Sequence, residues 1–141
     1  QIITILQGIV TGFGTIALIA SVFGIINTQY ISVLERTREI GLMKALGMRG
    51  ADVSWLFRLE AMWIGFLGGT IGAVIAWITG LALNPWLNKI LDLGEGNYLL
   101  IFQVLPVVGL IIGLMLIAMI AGLLPARKAA KLDPIEALRT E

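Results

Sequence analysis

Glu60 is the acid in this chain best placed for chemistry. It heads an apolar run, residues 61–88, that holds no acidic or basic side chain. Acids at membrane depth are costly and often mechanistic. Arg58, two residues earlier, puts the polar interface close by. Two readings stand: an interfacial acid paired with a basic group such as Arg127, or a mechanistic acid. No other constellation supports catalysis. Ser21, Ser32 and Ser54 are possible nucleophiles, but the chain has no His to activate them. It has no Cys either, which removes thiol chemistry, disulfides and, with His, the usual transition-metal ligands. The glycines lie inside apolar runs rather than between a strand and a helix with a following lysine, so no phosphate loop is present. The chain is therefore read as a non-enzyme that binds no cofactor or metal of its own.

A different kind of chemistry, recognition, is concentrated in residues 35–47: Glu35-Arg36-Thr37-Arg38-Glu39-Ile40-Gly41-Leu42-Met43-Lys44-Ala45-Leu46-Gly47. Residues 1–34 before this island carry no acidic or basic side chain. Within it Ile40, Met43 and Gly47 share one side of a helix, and Leu42 and Leu46 share another. Gly47 is a plausible C-cap, and Asp52 is well placed in the first turn of the next helix. The island is either a loop lying on anionic headgroups or a helix that docks a cytoplasmic partner.

The elements that carry these residues are membrane helices. Of 141 residues, 58% are hydrophobic and 13% charged, and the mean hydropathy is +0.96. A soluble domain is about a quarter charged. The net charge of +1 points neither to nucleic acid nor to an acidic substrate. A bilayer core of about 30 Å takes about 20 helical residues. Three stretches are long enough: about 2–33, 59–83 and 105–124. The first exceeds the core and turns polar at Asn27, Thr28, Gln29 and Ser32, so it is expected to leave the membrane as a stalk. Nine of the ten basic residues fall on one side, in the island and its continuation or in the tail at Arg127, Lys128, Lys131 and Arg139. That side is cytoplasmic. The N-terminus is then outside and the C-terminus inside a cell (inner or plasma) membrane. No basic segment precedes the first run, so it is not a secretory signal, and an outside start implies a span upstream.

The expected fold is an all-α membrane protein: three transmembrane helices, a cytoplasmic coupling segment at 35–50, an outer loop at 84–104 and a cytoplasmic tail at 125–141. In the outer loop, Asn84-Pro85 reads as an N-cap and first helical residue. A short interfacial helix with Trp86, Leu87, Ile90 and Leu91 on one face would follow. Gly94-Glu95-Gly96-Asn97 would end it, with Tyr98 and Phe102 anchoring the return. In the tail, Asp133-Pro134-Ile135-Glu136 reads as a capped helix start. Small residues recur at four-residue spacing: Gly8 and Gly12; Gly65, Gly69 and Gly68, Gly72; Gly109 and Gly113, then Ala118 and Gly122. Such stripes let helices approach closely. They serve packing within one bundle, or one of them forms a dimer face.

The island resembles the motif after the second span of FtsX-like ABC-transporter permeases, the family of macrolide exporters, lipoprotein-releasing permeases and the cell-division permease. Leu59-Glu60-Ala61 with Gly65, Gly68, Gly69 and Gly72 is similar to the family's next span. The tail Pro125-Ala126-Arg127-Lys128-Ala129-Ala130-Lys131-Leu132-Asp133-Pro134-Ile135-Glu136-Ala137-Leu138-Arg139 resembles its C-terminal ending, closest to the macrolide-exporter type. Met48 departs from the small residue common in the family at that place. The resemblance implies a four-span permease with an extracytoplasmic domain before this chain's first span. It implies a second permease copy, membrane lipid, and an ABC ATP-binding subunit or domain that carries ATP and Mg. It implies that residues 38–47 form the ATPase-coupling helix, with Ile40, Leu42, Met43 and Leu46 docking and Arg38, Glu39 and Lys44 at the rim. The helix would pass the ATPase's motion to the extracytoplasmic domain, for export or extraction. The competing readings are a mechanical signalling module that activates an external enzyme without moving cargo, and a plain membrane anchor.

Overall fold

The computed structural model describes residues 1–91 and 103–139. The expected loop features at Gly94-Glu95-Gly96-Asn97, Tyr98 and Phe102 lie outside the described residues. The rest is helical, with no strand among the described residues: α1 Ile2–Glu35, α2 Thr37–Ala45, α3 Gly50–Leu91, α4 Val104–Ala121, α5 Leu123–Ala130 and α6 Pro134–Arg139. Three helical stretches, Thr4–Glu35, Gly50–Ile90 and Val104–Ala130, are long and apolar enough to cross a membrane. Helices are the open-ended way to satisfy every backbone group in lipid. The hydroxyls obey the same rule. Thr11 donates to the Gln7 carbonyl at 2.7 Å, Thr15 to Thr11 at 2.8 Å and Thr79 to Ile75 at 2.7 Å, each four residues back.

Each helix boundary has a local cause. Between α1 and α2 only Arg36 leaves helical geometry (φ −100°, ψ 16°). The Thr37 hydroxyl there lies 2.9 Å from the carbonyls of both Val33 and Leu34, covering acceptors freed by the break. α2 ends in a Schellman motif: Gly47 N–H donates to Lys44 O and Met48 N–H to Met43 O, both at 3.0 Å. Gly47 adopts φ +101°, which a side chain would resist. Asp52 accepts from the Arg49 backbone N–H at 3.3 Å and sits in the first turn of α3. α4 and α5 are parted at Gly122 because Pro125 has no N–H for the Ala121 carbonyl, and its ring would strike that carbonyl. Asp133 caps α6 through the Ile135 N–H at 2.8 Å.

One expectation fails here. No separate interfacial helix starts at Asn84-Pro85; α3 runs unbroken from Gly50 to Leu91 with Pro85 inside it. Proline removes one backbone bond, but a membrane helix tolerates that loss.

α3 packs chiefly on α4 and α5, and α1 leans on α4 and α5. Residues 4–17 of α1 are exposed throughout. The α3–α4 seam is built from small residues. A Cβ placed on Gly65 would lie 2.7 Å from both Ala118 Cβ and the Leu114 carbonyl, and one on Gly122 would lie 2.7 Å from Ala61 Cβ. Gly69 is the next position along, 3.2 Å from Leu114 Cδ1 by the same measure. Of the expected packing glycines, Gly65 and Gly69 meet a neighbouring helix. Gly8, Gly12, Gly72, Gly109 and Gly113 face open space within this chain. Spacing alone marks small residues on several faces of a helix, and only one of those faces meets α4.

The densest core lies at the charged end of the bundle. Val33 of α1, Ile40 of α2, Val53 and Phe57 of α3, and Ala126 and Ala129 of α5 are buried together, with Met43 and Leu132 packed against them. Four helices are thus tied where the island sits.

Candidate coupling surface

α2 has two faces. Its inner face carries Ile40, 0% exposed, and the buried Gly41. Met43 is half-buried against the core. Its outer face carries Arg38, Glu39, Leu42, Ala45 and Leu46, all exposed. Leu42 is 52% exposed and Leu46 81%, four residues apart on one stripe. Met48, just past the Gly47 turn, is also exposed. The outer stripe is therefore Arg38–Leu42–Ala45–Leu46, an apolar strip with a cation at its first turn.

Two expected docking residues and one expected rim residue turn inward instead. Ile40 and Met43 anchor α2 to the core. Lys44 is half-buried, and its Nζ donates to the Ala130 carbonyl at 2.9 Å and to the Leu132 carbonyl, so it faces the tail rather than the rim. Both stripes of α2 were visible in the residues, but their pattern holds no sign of which side meets the bundle. The tail decides it. α6 lies so close that a Cβ on Gly41 would come within 2.6 Å of Ala137 Cβ.

Glu60 has a partner, and it is not Arg127. Its Oε2 lies 3.6 Å from Arg36 Nη1, while Arg36 Nε bonds Glu39 Oε2 at 3.1 Å. The Arg36 guanidinium also lies 5.8 Å from the centre of the Phe57 ring. The residue at the α1–α2 break thus bridges an acid on α2 and an acid on α3. Both members of the Arg36–Glu60 pair are about two-fifths exposed, so the pair orients more than it stabilises. Arg127 is exposed on α5, at the edge of an open apolar hollow with Val22, Ile26, Ile117 and Leu124. Positive charge on one membrane side sets topology, not pairing, which is why the sequence does not single out Arg36. Among the described residues no three Asp, Glu, His or Cys side chains gather where they could hold a metal ion. What the arrangement offers is a rigidly backed contact surface.

An all-helical bundle with three membrane-length helices, gathered at one end by a short two-faced helix, defines a multi-pass membrane domain. The family model described as FtsX-like permease C-terminal matches residues 11–134, and the chain belongs to that family. It is 35% identical over 135 residues to an uncharacterized ABC transporter permease of Methanocaldococcus jannaschii, covering 94% of this chain and 32% of the relative. It is 35% identical over 133 residues to the macrolide export ATP-binding/permease protein MacB of Acinetobacter baylyi, covering 94% of this chain and 19% of that protein. It is 39% identical over 137 residues to the ABC transporter permease YtrF of Bacillus subtilis, covering 91% and 31%. The chain thus spans between about a fifth and a third of the curated relatives it matches.

Proposed function

We propose that this chain is the transmembrane permease part of an ATP-driven ABC transporter, and that α2 is its coupling helix. An ABC ATP-binding subunit or domain, carrying ATP and Mg, presses on the outer stripe of α2. The bundle relays that motion along α1 to an extracytoplasmic domain, for export or extraction. A second permease copy and the surrounding lipid complete the assembly, with the island and the C-terminus on the cytoplasmic side.

The observation that carries this reading is the contrast between the two faces of α2. Leu42 and Leu46 are exposed at the charged end of the bundle, while Ile40 on the reverse is fully buried in a core shared by α1, α3 and α5. A helix held this way passes a load to three others instead of yielding to it. The membership of the FtsX-like permease family and the names of the relatives support the same role.

The test is Leu46→Asp in the full-length transporter. A charge there stays solvated in the free permease but is stranded when an apolar contact closes over it. Transport should fall at least tenfold while ATP hydrolysis continues and the permease stays folded. Transport at the unmodified rate would refute the coupling role.

A further inference from the structure

We infer that Lys44 is a positioning residue that clasps α2 to the C-terminal tail, so that α2, the start of α3 and α5–α6 move as one body. This rests on the coupling reading of α2 and adds the route by which its motion enters the bundle.

The clasp is built from three contacts at one place. Lys44 Nζ donates to the Ala130 carbonyl at 2.9 Å and to the Leu132 carbonyl. The Ala130 carbonyl is an orphan acceptor at the end of α5, where the helix dipole is negative and an ammonium is favoured, and the Leu132 carbonyl belongs to the link from α5 to α6. The same Ala130 carbonyl lies against α3, 2.7 Å from where a Cβ on Gly50 would be. One turn before Lys44, Gly41 lets α6 approach so closely that a Cβ there would meet Ala137 Cβ at 2.6 Å and the Pro134 carbonyl at 3.5 Å. Lys44 has no carboxylate within ion-pair distance among the described residues, so its charge goes to the tail backbone.

The connection to α1 is different in kind. α2 continues from α1 through the single non-helical residue Arg36, a joint that can bend. The tail connection has side-chain and backbone contacts along the inner face of α2, at Gly41 and at Lys44. A load on Leu42 and Leu46 therefore enters α5, and α4 beyond Gly122, as well as α1. α5 and α6 become part of the moving element and not a passive end of the chain.

The experiment measures the α2–α6 distance directly. Spin labels go on Met48→Cys, at the C-terminal turn of α2 and outside the docking stripe, and on Ile135→Cys, which are 39% and 76% exposed, in the full-length transporter made free of other cysteines, in nanodiscs. The clasp predicts one narrow distance distribution, unchanged between the nucleotide-free and ATP-trapped states. Lys44→Met should broaden it and lower transport per ATP at least threefold, and Lys44→Arg, which keeps the paired donors, should restore both. If Lys44→Met does not fold, Ala137→Val overpacks the buried contact between α6 and Gly41, leaves Lys44 and its acceptors in place, and should broaden the distance in the same way. A distance that shifts with nucleotide in the unmodified protein would overturn the clasp. So would an unchanged width and unchanged transport per ATP in Lys44→Met. The nucleotide-free distance needs no ATPase contact, so it stands even if the coupling role of Leu46 fails.

Discussion

Replacing Gly65 by Ala tests the α3–α4 seam with a single methyl group. The added Cβ would sit 2.7 Å from Ala118 Cβ and 2.7 Å from the Leu114 carbonyl oxygen. Carbon contacts settle at about 3.5–4.0 Å, so the two helices must part by about 1 Å. Overpacking of this kind costs about 1–3 kcal/mol. The loss spreads along the seam, because a gap of about 0.5–1 Å forfeits a quarter to a half of each contact's attraction. The neighbouring contacts of Gly69 with Leu114 and Gly122 with Ala61 both weaken. A central figure of about 2 kcal/mol is roughly a 30-fold shift in the folding equilibrium. Gly68→Ala is the internal control, since nothing lies within 4 Å of its added Cβ. It should leave stability unchanged or raise it by up to about 1 kcal/mol, the gain of Ala over Gly in a helix. Ala118→Gly in the Gly65→Ala background removes one of the two clashes but not the backbone carbonyl, so it should recover about half the loss. Unfolding in mixed micelles, followed by tryptophan fluorescence, reads all three variants. If Gly65→Ala and Gly68→Ala unfold alike, the seam is not where the structure puts it.

The two faces of α2 should separate in stability measurements. Ile40→Ala empties part of the core and should cost about 2–5 kcal/mol, whereas Leu42→Ala should cost less than about 0.5 kcal/mol; equal losses in the same unfolding assay would contradict the assigned faces. Gly47→Ala forces a side chain into positive φ and should destabilise by about 1–2 kcal/mol, and a neutral result would mean the Schellman turn is not held. Exchanging charges, Arg36→Glu with Glu60→Arg, should restore more stability than either single change when measured as a double-mutant cycle, by up to about 1 kcal/mol. Pairing Glu60→Arg with Arg127→Glu should show no such coupling.

What the sequence reveals here follows from how local each cause is. The three spans are legible because a bilayer imposes length and apolarity on every residue of a segment. Gly47 is legible because a positive φ needs one residue type, and Asp52 because a helix start needs an acceptor within a turn. Asn84-Pro85 carries the local signal of a helix start, yet the surrounding helix continues. Trp86, Leu87 and Ile90 extend its apolar surface, and propensity gives way to context. The orientation of α2 is not local at all. Ile40 and Leu42 are equally apolar, and the choice between them is made by Ala129, Ala137 and the Leu132 backbone, some 90 residues later in the chain. The Glu60 partner is hidden for a similar reason. Arg36 and Arg127 share a membrane side, and only the bend at Arg36 brings one of them to the acid.

The central claim is that the outer stripe of α2 meets an ATPase. Single cysteines at Leu42 and Leu46, in the full-length transporter made free of other cysteines, should crosslink to the ATP-binding subunit or domain, with a yield that changes when ATP is trapped. A cysteine at Ile40 should not react. Protection of Leu42 and Leu46 by lipid alone, with no crosslink in any nucleotide state, would contradict the account.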